Sequence, residues 1–569
     1  MKVGVSKVRI KFRKKILPLQ GYGQMNHIST EVENDLFARA FFFREAGNTV
    51  AILHLECAFI SYHLKAKILE RFSAVTPAAE LSDANLLFSA NTTHSAPGGY
   101  SHYAFFNISS KGFLPEVFDA YQLACVDALQ QAWINLEDGK LFLNASYFEE
   151  EADVAFNRAI EAYNSNEGIE ELDENQTHLA VNRLVRQIRI CRKDMVQKGV
   201  LNWFGVQGIS IPASAKRIHP DNKGYAASML ENDQTEEHQF VAGFCVEAAA
   251  DVSPNYHGRA KWWPRGKYED PYKSAYFNGF IQFEKAKAML EDESMQIDMQ
   301  DKLDFVHAFV DFSEVVCDKK FSKDGLVHST DEAIVGLTFA EGTAIDNPGI
   351  DSFTAVLLNS AMKVKGYVTN SAVLSNKSQR NRVKALEDAH GPKVRMLELQ
   401  QKQILGNSDL LKLSLPAVAT DILDEIKRQY KAGALKEHTW TPVVLPIQIL
   451  RVGDIAILGL PAEISTEAGN QLRKAVIEVL EPIGIIDVFI SSCSNEYGGY
   501  ITTFDEYQLQ LFEGACTLFG QYTLAAFQTE FVKLANELVK DPKQRIDPPK
   551  LRPPVFSEAE LKLRTYGQP

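Results

Sequence analysis

The stretch NTTHSAPGGY, residues 91–100, places one histidine, His94, between hydroxyl-bearing residues and just ahead of a Pro-Gly-Gly turn. A histidine in such a setting can bind a metal, shuttle a proton or fill space. Outward from it, apolar runs such as TVAILHLECAFI (49–60) and FVAGFCVEAA (240–249) read as buried strands, and apolar residues at spacings of three and four read as helices. The two alternate along the chain, which predicts a mixed α/β fold with a β-sheet core and surrounding helices. The clearest helix carries Leu524, Phe527, Phe531, Leu534 and Leu538 and ends at Asp541-Pro542. Acidic stretches at 163–178 and 291–304 read as solvated insertions or helix faces. No internal repeat or boundary divides the chain, so the expectation is one large domain over 1–541, followed by a Pro-rich tail, 542–569, that lies on the domain or leaves it.

The 569 residues are 45% hydrophobic and 23% charged, with a net charge of -13. An acidic chain repels phosphate backbones, so nucleic acid is not an expected partner. Seven scattered cysteines without a CxxC pair argue against a disulfide framework or a zinc ribbon and fit a reducing compartment. The opening MKVGVSKVRIKFRKK has no apolar signal core, and its basic character resembles a transit peptide. Val3, Val5, Val8, Ile10 and Phe12 instead fit an amphipathic strand. No uncharged run of membrane-spanning length occurs.

Three more stretches carry chemistry-bearing residues. In EAAADVSPNYHG (247–258) a strand runs into small residues and then Asp251, Ser253 and Asn255, a place where substrate can approach closely, although a serine in a proline turn reads the same way. GLPAEISTEAG (459–469) sets Glu463 before a helix, as metal ligand, general base or helix cap. SCSNEYGGYITTFDEYQLQLFEGACTLFG (492–520) flanks a Gly-Gly turn with Tyr497, Tyr500 and Tyr507, which matter as a site only if other polar groups converge on them.

Together these pieces resemble the neutral ceramidase family, zinc-dependent amidases that cleave the N-acyl bond of ceramide. Asn91–Tyr100 is similar to the family's N-T-H-T-H-S-(G/A)-P-G-G-Y, NRAIEAY (157–163) to its N-R-S-P-x-A-Y, and LNWFGVQGIS (201–210) to its I-N-W-F-(A/G)-V-H-G-T-S. DNKGY (221–225) is identical, ADVSPN (250–255) resembles G-D-V-S-P-N, and residues 460–469 resemble L-P-x-E-x-x-T-x-A-G. The Tyr500 region resembles Y-x-x-Y-I-T-T-x-(E/D)-E-Y, and the opening strand through LPLQGYG, with Gly21, matches the family's first strand. The resemblance runs from about residue 1 to residue 540. It implies a ceramidase-like catalytic domain, and the chain ends about where the family's C-terminal immunoglobulin-like domain would begin, so that domain is not expected.

The departures matter as much. Where the resemblance implies two zinc-binding histidines, this chain has Thr92 and Gln207. Glu463 and Tyr500 match the family's carboxylate and tyrosine ligands, leaving a degenerate zinc site of Thr92, Gln207, Glu463 and Tyr500, and zinc is not expected because a hydroxyl and an amide do not replace imidazoles. A rebuilt site from His54, Glu56 and His257 is the alternative. By resemblance His94 sits beside the scissile amide as a proton shuttle, Arg158 polarises an acyl oxygen, and Ser253 is nucleophile or substrate contact. Gly21, Tyr500, Gln207, Thr92 and Glu463 would line the substrate pocket, and Phe512 stands where the family has a further site tyrosine. The leading expectation is a cytoplasmic enzyme that hydrolyses or transfers an acyl group at an amide or ester of a lipid-like compound, small or carrier-bound, without zinc. A pseudoenzyme that binds an acylated ligand or partner is the second reading and a zinc ceramidase the third.

Overall fold

The computed structural model describes residues 1–234, 240–255, 266–343, 345–349, 377–413 and 420–565. Two β-sheets stack face to face between helical layers. The first is nine-stranded. Its main strands are β1 (Lys2–Arg9), β2 (Phe37–Glu45), β3 (Asn48–Leu55), β4 (Leu86–Ala90), β5 (Glu137–Tyr147), β6 (Leu184–Arg192), β7 (Gln197–Phe204) and β8 (Val241–Val246). They lie in the order β8-β7-β6-β5-β1-β2-β3-β4. Only the outer pairs β3/β4 and β7/β8 are parallel in this order. The second sheet orders β9 (Leu303–Asp311), β10 (Val444–Val452), β11 (Ile455–Gly459) and β12 (Asp487–Ser491), with β11/β12 parallel.

Strand alternation explains the layering. Successive side chains on a strand point to opposite faces. On β2, Phe41 and Phe43 join Val50 and Ile52 of β3 in a core shared with Leu450, Ile457 and Phe489 of the second sheet. Phe42, Ala51 and Leu53 face the other way, onto α1 (Tyr62–Val75) and α2 (Pro115–Ile134). Burying such a phenylalanine stabilises the fold by about 1.5–3 kcal/mol. Further along that sheet, α3 (Asp221–Asp233) and α4 (Pro271–Glu291) cover Val200, Ala242 and Phe244. On the far side of the second sheet, Ile447, Ile449 and Leu458 pack against α5 (Thr466–Leu480) and α6 (Thr523–Val539). α6 is the helix expected from the 524–538 stripe, and β1 is the expected N-terminal strand.

The Pro-rich segment lies on the domain rather than leaving it. His63 Nε2 donates to the Pro554 carbonyl at 2.8 Å, Phe556 packs edge-on against His63 and His102, and Arg564 Nε donates to the Ala434 carbonyl at 3.0 Å. Among the described residues no helix is long and apolar enough to cross a membrane.

Candidate active site

Each stretch singled out in the sequence begins where a strand ends. Asn91–Tyr100 follows β4, Gly205–Ser210 follows β7, Glu247–Asn255 follows β8, Leu460–Ser465 follows β11 and Ser492–Tyr500 follows β12. Backbone bonds tie these loops together: His94 N–H to Gly208 O at 3.2 Å, Ser492 N–H to Val246 O at 3.0 Å, Asn495 N–H to Phe88 O at 2.8 Å and Ala249 N–H to Ile464 O at 3.0 Å. Carboxyl ends of parallel strands are where α/β sheets gather ligand sites, and here both sheets contribute.

Where the resemblance implies a metal, side chains hydrogen-bond to both Glu463 oxygens. Gln207 Nε2 donates to Glu463 Oε2 at 2.5 Å and to the Ala249 carbonyl at 2.9 Å. Tyr497 donates to Glu463 Oε1 at 2.6 Å. Glu463 and Tyr500 are opposed in a short parallel pairing, Glu463–Ile464 with Tyr500–Ile501. Burial raises the Glu463 pKa, against the donors Tyr497, Tyr500 and Gln207 and the charge of Arg158. Thr92 holds a φ of 62°, and its hydroxyl oxygen accepts from Gly208 N–H at 3.0 Å. A β-branched residue in the left-handed region is strained, which places Thr92 among over-determined site residues. Thr92, Gln207, Glu463 and Tyr500 do not fit zinc: no imidazole or thiolate is present and both Glu463 oxygens already accept hydrogen bonds. Of the alternative site, His54 bonds to Ser89 at 3.0 Å and Glu56 pairs with Arg39 at 2.6 Å, while His257 lies outside the described residues. Among the described residues no three His, Cys, Asp or Glu side chains are grouped to hold a metal.

Beside this position lies His94, half-buried, with Nδ1 at 3.0 Å from the Thr92 carbonyl. A carbonyl only accepts, so Nδ1 carries the proton and Nε2 keeps its lone pair. Burial, with a contribution from the Arg158 charge, lowers the pKa of His94 to about 4 and keeps it neutral near pH 7. Gly21 is the floor under the ring, because a Cβ on it would lie 2.2 Å from His94 Cδ2. Tyr22 packs edge-on at 4.8 Å.

Arg158 directly follows the short strand Phe156–Asn157, which pairs with Val252–Ser253. The Arg158 guanidinium donates from Nε to Glu513 at 3.0 Å, from Nη1 to Asp346 at 2.9 Å and from Nη2 to the Ala250 carbonyl at 2.7 Å. Burial works against its charge, but Glu513 and Asp346 outweigh that and raise its pKa. Ser253 Oγ donates to Asp346 Oδ1 at 2.7 Å and accepts from Asn255 N–H at 3.0 Å. The serine proton is thus directed at a carboxylate, not at His94. Phe512 stacks over Arg158, 5.9 Å from ring centre to Cζ, and meets Tyr500 edge-on.

The Glu463 cap reading is not what forms: Ser465 caps α5 by accepting from Ala468 N–H. Asp346, Glu513 and the contact from Tyr497 to Glu463 join the site without having been picked out as members. Asp346 stands in GTAIDNPG, whose Asn-Pro-Gly signals a turn and nothing catalytic.

The sequence matches the model of the neutral/alkaline non-lysosomal ceramidase family, N-terminal part, over residues 2–406 and 424–529. The chain belongs to this family. It is 28% identical to the neutral ceramidase of Pseudomonas aeruginosa over 522 residues, 91% of this chain and 69% of that one. Neutral ceramidase 1 of Arabidopsis thaliana is 27% identical, over 96% of this chain and 76% of the relative. In structure the chain resembles a ceramidase complexed with C2, with a TM-score of 0.74, 26% identity and coverage of 94% of this chain and 75% of the other. It also resembles the crystal structure of the Pseudomonas aeruginosa neutral ceramidase, again at 0.74, covering 97% of this chain and 76% of that one at 25% identity. The expected mixed α/β ceramidase-like fold is therefore established.

Proposed function

We propose that this ceramidase-family chain hydrolyses the amide of a lipid-like acyl compound by a route that does not use zinc. The relatives' shared name supports the amide and the lipid character of the substrate. The observation that carries the zinc-free route is the Gln207 amide seated on Glu463, where the resemblance implies an imidazole on a metal. Zinc would supply carbonyl polarisation and an activated water, and neither role is assigned to it here. His94, neutral with Nε2 free of the Thr92 carbonyl, takes a proton from the water whose oxygen attacks the acyl carbon and returns it to the nitrogen as the C–N bond breaks, releasing acid and amine. Arg158 lies next to Ser253, and its unused N–H bonds on Nη1 and Nη2 face the developing acyl oxyanion in this reading. Ser253, whose hydroxyl is held by Asp346, anchors the acyl group or, as nucleophile, passes its proton to Asp346 and forms an acyl ester that water then cleaves. The compartment expected for this activity is the cytoplasm, and the acyl substrate is taken free or from a carrier.

One observation favours a second reading, a chain that binds an acylated ligand without turning it over. Arg158 already spends three of its donors on protein acceptors. Turnover of a synthetic N-acyl amide by full-length protein, before and after exhaustive chelation and alongside metal analysis, tests both. Hydrolysis that survives chelation, with zinc far below stoichiometric, is the expected result. Turnover lost to the chelator and restored by zinc would overturn the zinc-free route, and no turnover of any acyl amide would leave the binding reading.

A further inference from the structure

Gly342–Thr343 pairs with Asn347–Pro348, and Asp346, directly ahead of the second of these short strands, lies in the site. Asp346 is only 3% exposed. Its Oδ1 accepts from Ser253 Oγ at 2.7 Å and from Asn255 Nδ2 at 2.6 Å, and its Oδ2 accepts from Arg158 Nη1 at 2.9 Å. The next residue ties the same segment to a third part of the site. Asn347 Nδ2 donates to the Tyr22 carbonyl at 3.1 Å and Oδ1 accepts from Gln24 at 2.9 Å. These bonds hold the loop that lays Gly21 and Tyr22 against His94.

A serine hydroxyl rotates to suit whichever acceptor is nearest. A bond to an ionised carboxylate is shorter and stronger than one to a neutral acceptor and fixes that rotation. With Asn255 N–H on the same oxygen, Ser253 Oγ is held by a donor on one side and an acceptor on the other. Arg158 meets the opposite carboxylate oxygen, so one carboxylate sets the separation of the serine oxygen from the guanidinium. We infer that Asp346 is the positioning residue of this site, holding the Ser253 hydroxyl and the Arg158 guanidinium in one fixed relation and acting on the reaction through them. The inference rests on the reading of Ser253 and Arg158 as working groups given above.

Asp346→Asn keeps the size of the side chain but sets amide hydrogens against donors whichever way it turns, towards Ser253 and Asn255 or towards Arg158. The expected result is a fall in kcat of ~10²-fold with KM changed by less than ~3-fold, the size of effect that small misplacements of reacting groups produce. In a Ser253→Ala background the same change should cost less than ~10-fold, because the group it orients is gone. A residue that only holds the fold would instead lower the melting temperature and give losses that multiply. Wild-type kcat in a folded Asp346→Asn protein, or multiplying losses in the double variant, would overturn the inference. Should Asp346→Asn fail to fold, Asp346→Glu keeps the charge one methylene further out and is expected to retain the melting temperature while losing kcat. A wild type that turns over no acyl amide counts against the proposed function alone. The crystal structure of Asp346→Asn then decides, since an unmoved Ser253 oxygen and guanidinium would refute the inference and a displacement of either would support it.

Discussion

Replacing Gly21 by alanine isolates the contact that holds His94. The residue has a φ of 124°, and an added Cβ would lie 2.2 Å from Cδ2 and 2.3 Å from Cγ of the imidazole, about 1.2 Å short of ordinary van der Waals contact. The ring has little room to yield, being bonded to the Thr92 carbonyl at 3.0 Å and packed on Tyr22, whose hydroxyl donates to the Ile211 carbonyl at 2.6 Å. Backbone strain costs about 1–3 kcal/mol and the overlap a similar amount, so Gly21→Ala should destabilise the fold by about 2–6 kcal/mol. Moving the imidazole by about 1 Å should lower kcat by ~10²-fold. Two residues on, Gly23 has a φ of 69° with nothing within 4 Å of its Cβ position. Gly23→Ala therefore carries only the left-handed penalty, about 1–2 kcal/mol, and should keep wild-type kcat. Amine release from an N-acyl amide and thermal melts of both variants provide the measurements. Equal losses of kcat in the two would show that the loop backbone, not the contact with His94, matters, and full activity in Gly21→Ala would refute the placement of His94 as a working group.

Thr92→His with Gln207→His should take up about one zinc per chain after dialysis, because Glu463 and Tyr500 still face this position and histidine tolerates the left-handed backbone at residue 92 better than threonine does. Absence of zinc uptake would show that the pocket has closed beyond repair. In the wild type the acid limb of kcat/KM should fall near pH 4, the value of His94, and a limb at its unperturbed 6.5 would mean that the ring is solvated. Because the folded pKa of His94 lies below the unfolded one, its contribution to stability is complete above pH 6.5 and is lost as pH falls towards 4. His27, also lowered to about 4, adds to the same fall, so denaturant midpoints should drop over that window.

The layers of this fold were legible because they are written in alternation. Phe41-Phe42-Phe43 is three consecutive aromatics, yet the period of two sends the middle one to the helices and its neighbours to the second sheet. The α6 stripe could be read for the equivalent reason at a period of 3.6. The motifs carrying His94, Arg158, Ser253 and Glu463 stood out in the sequence as short stretches of polar residues beside small ones. What stayed hidden was pairing. Ser253 lies 93 residues from the carboxylate that accepts its hydrogen bond, Arg158 lies 355 from Glu513, and Gln207 lies 256 from Glu463. No local spacing encodes such partners.

The residues that stand where the resemblance implies imidazoles bear on whether this site is kept or decaying. A carboxylate buried without a metal needs hydrogen-bond donors, and leaving one unsatisfied costs about 1–3 kcal/mol or more. An arbitrary substitution at 207 would create that defect at Glu463. Glutamine does not: its amide reaches Glu463 Oε2 while its second acceptor is the Ala249 carbonyl, and Tyr497 covers Oε1. Thr92 likewise satisfies the Gly208 N–H of the facing loop. Erosion would be expected to shed the buried charges together, since replacing them with apolar residues is often neutral or stabilising. Here Glu463, Arg158, Asp346 and Glu513 are all present, with their hydrogen bonds made. Such an arrangement is costly to assemble for packing alone, and it sets one cation, one oriented hydroxyl and one neutral imidazole close enough for the charges of Arg158 and Asp346 to act on His94.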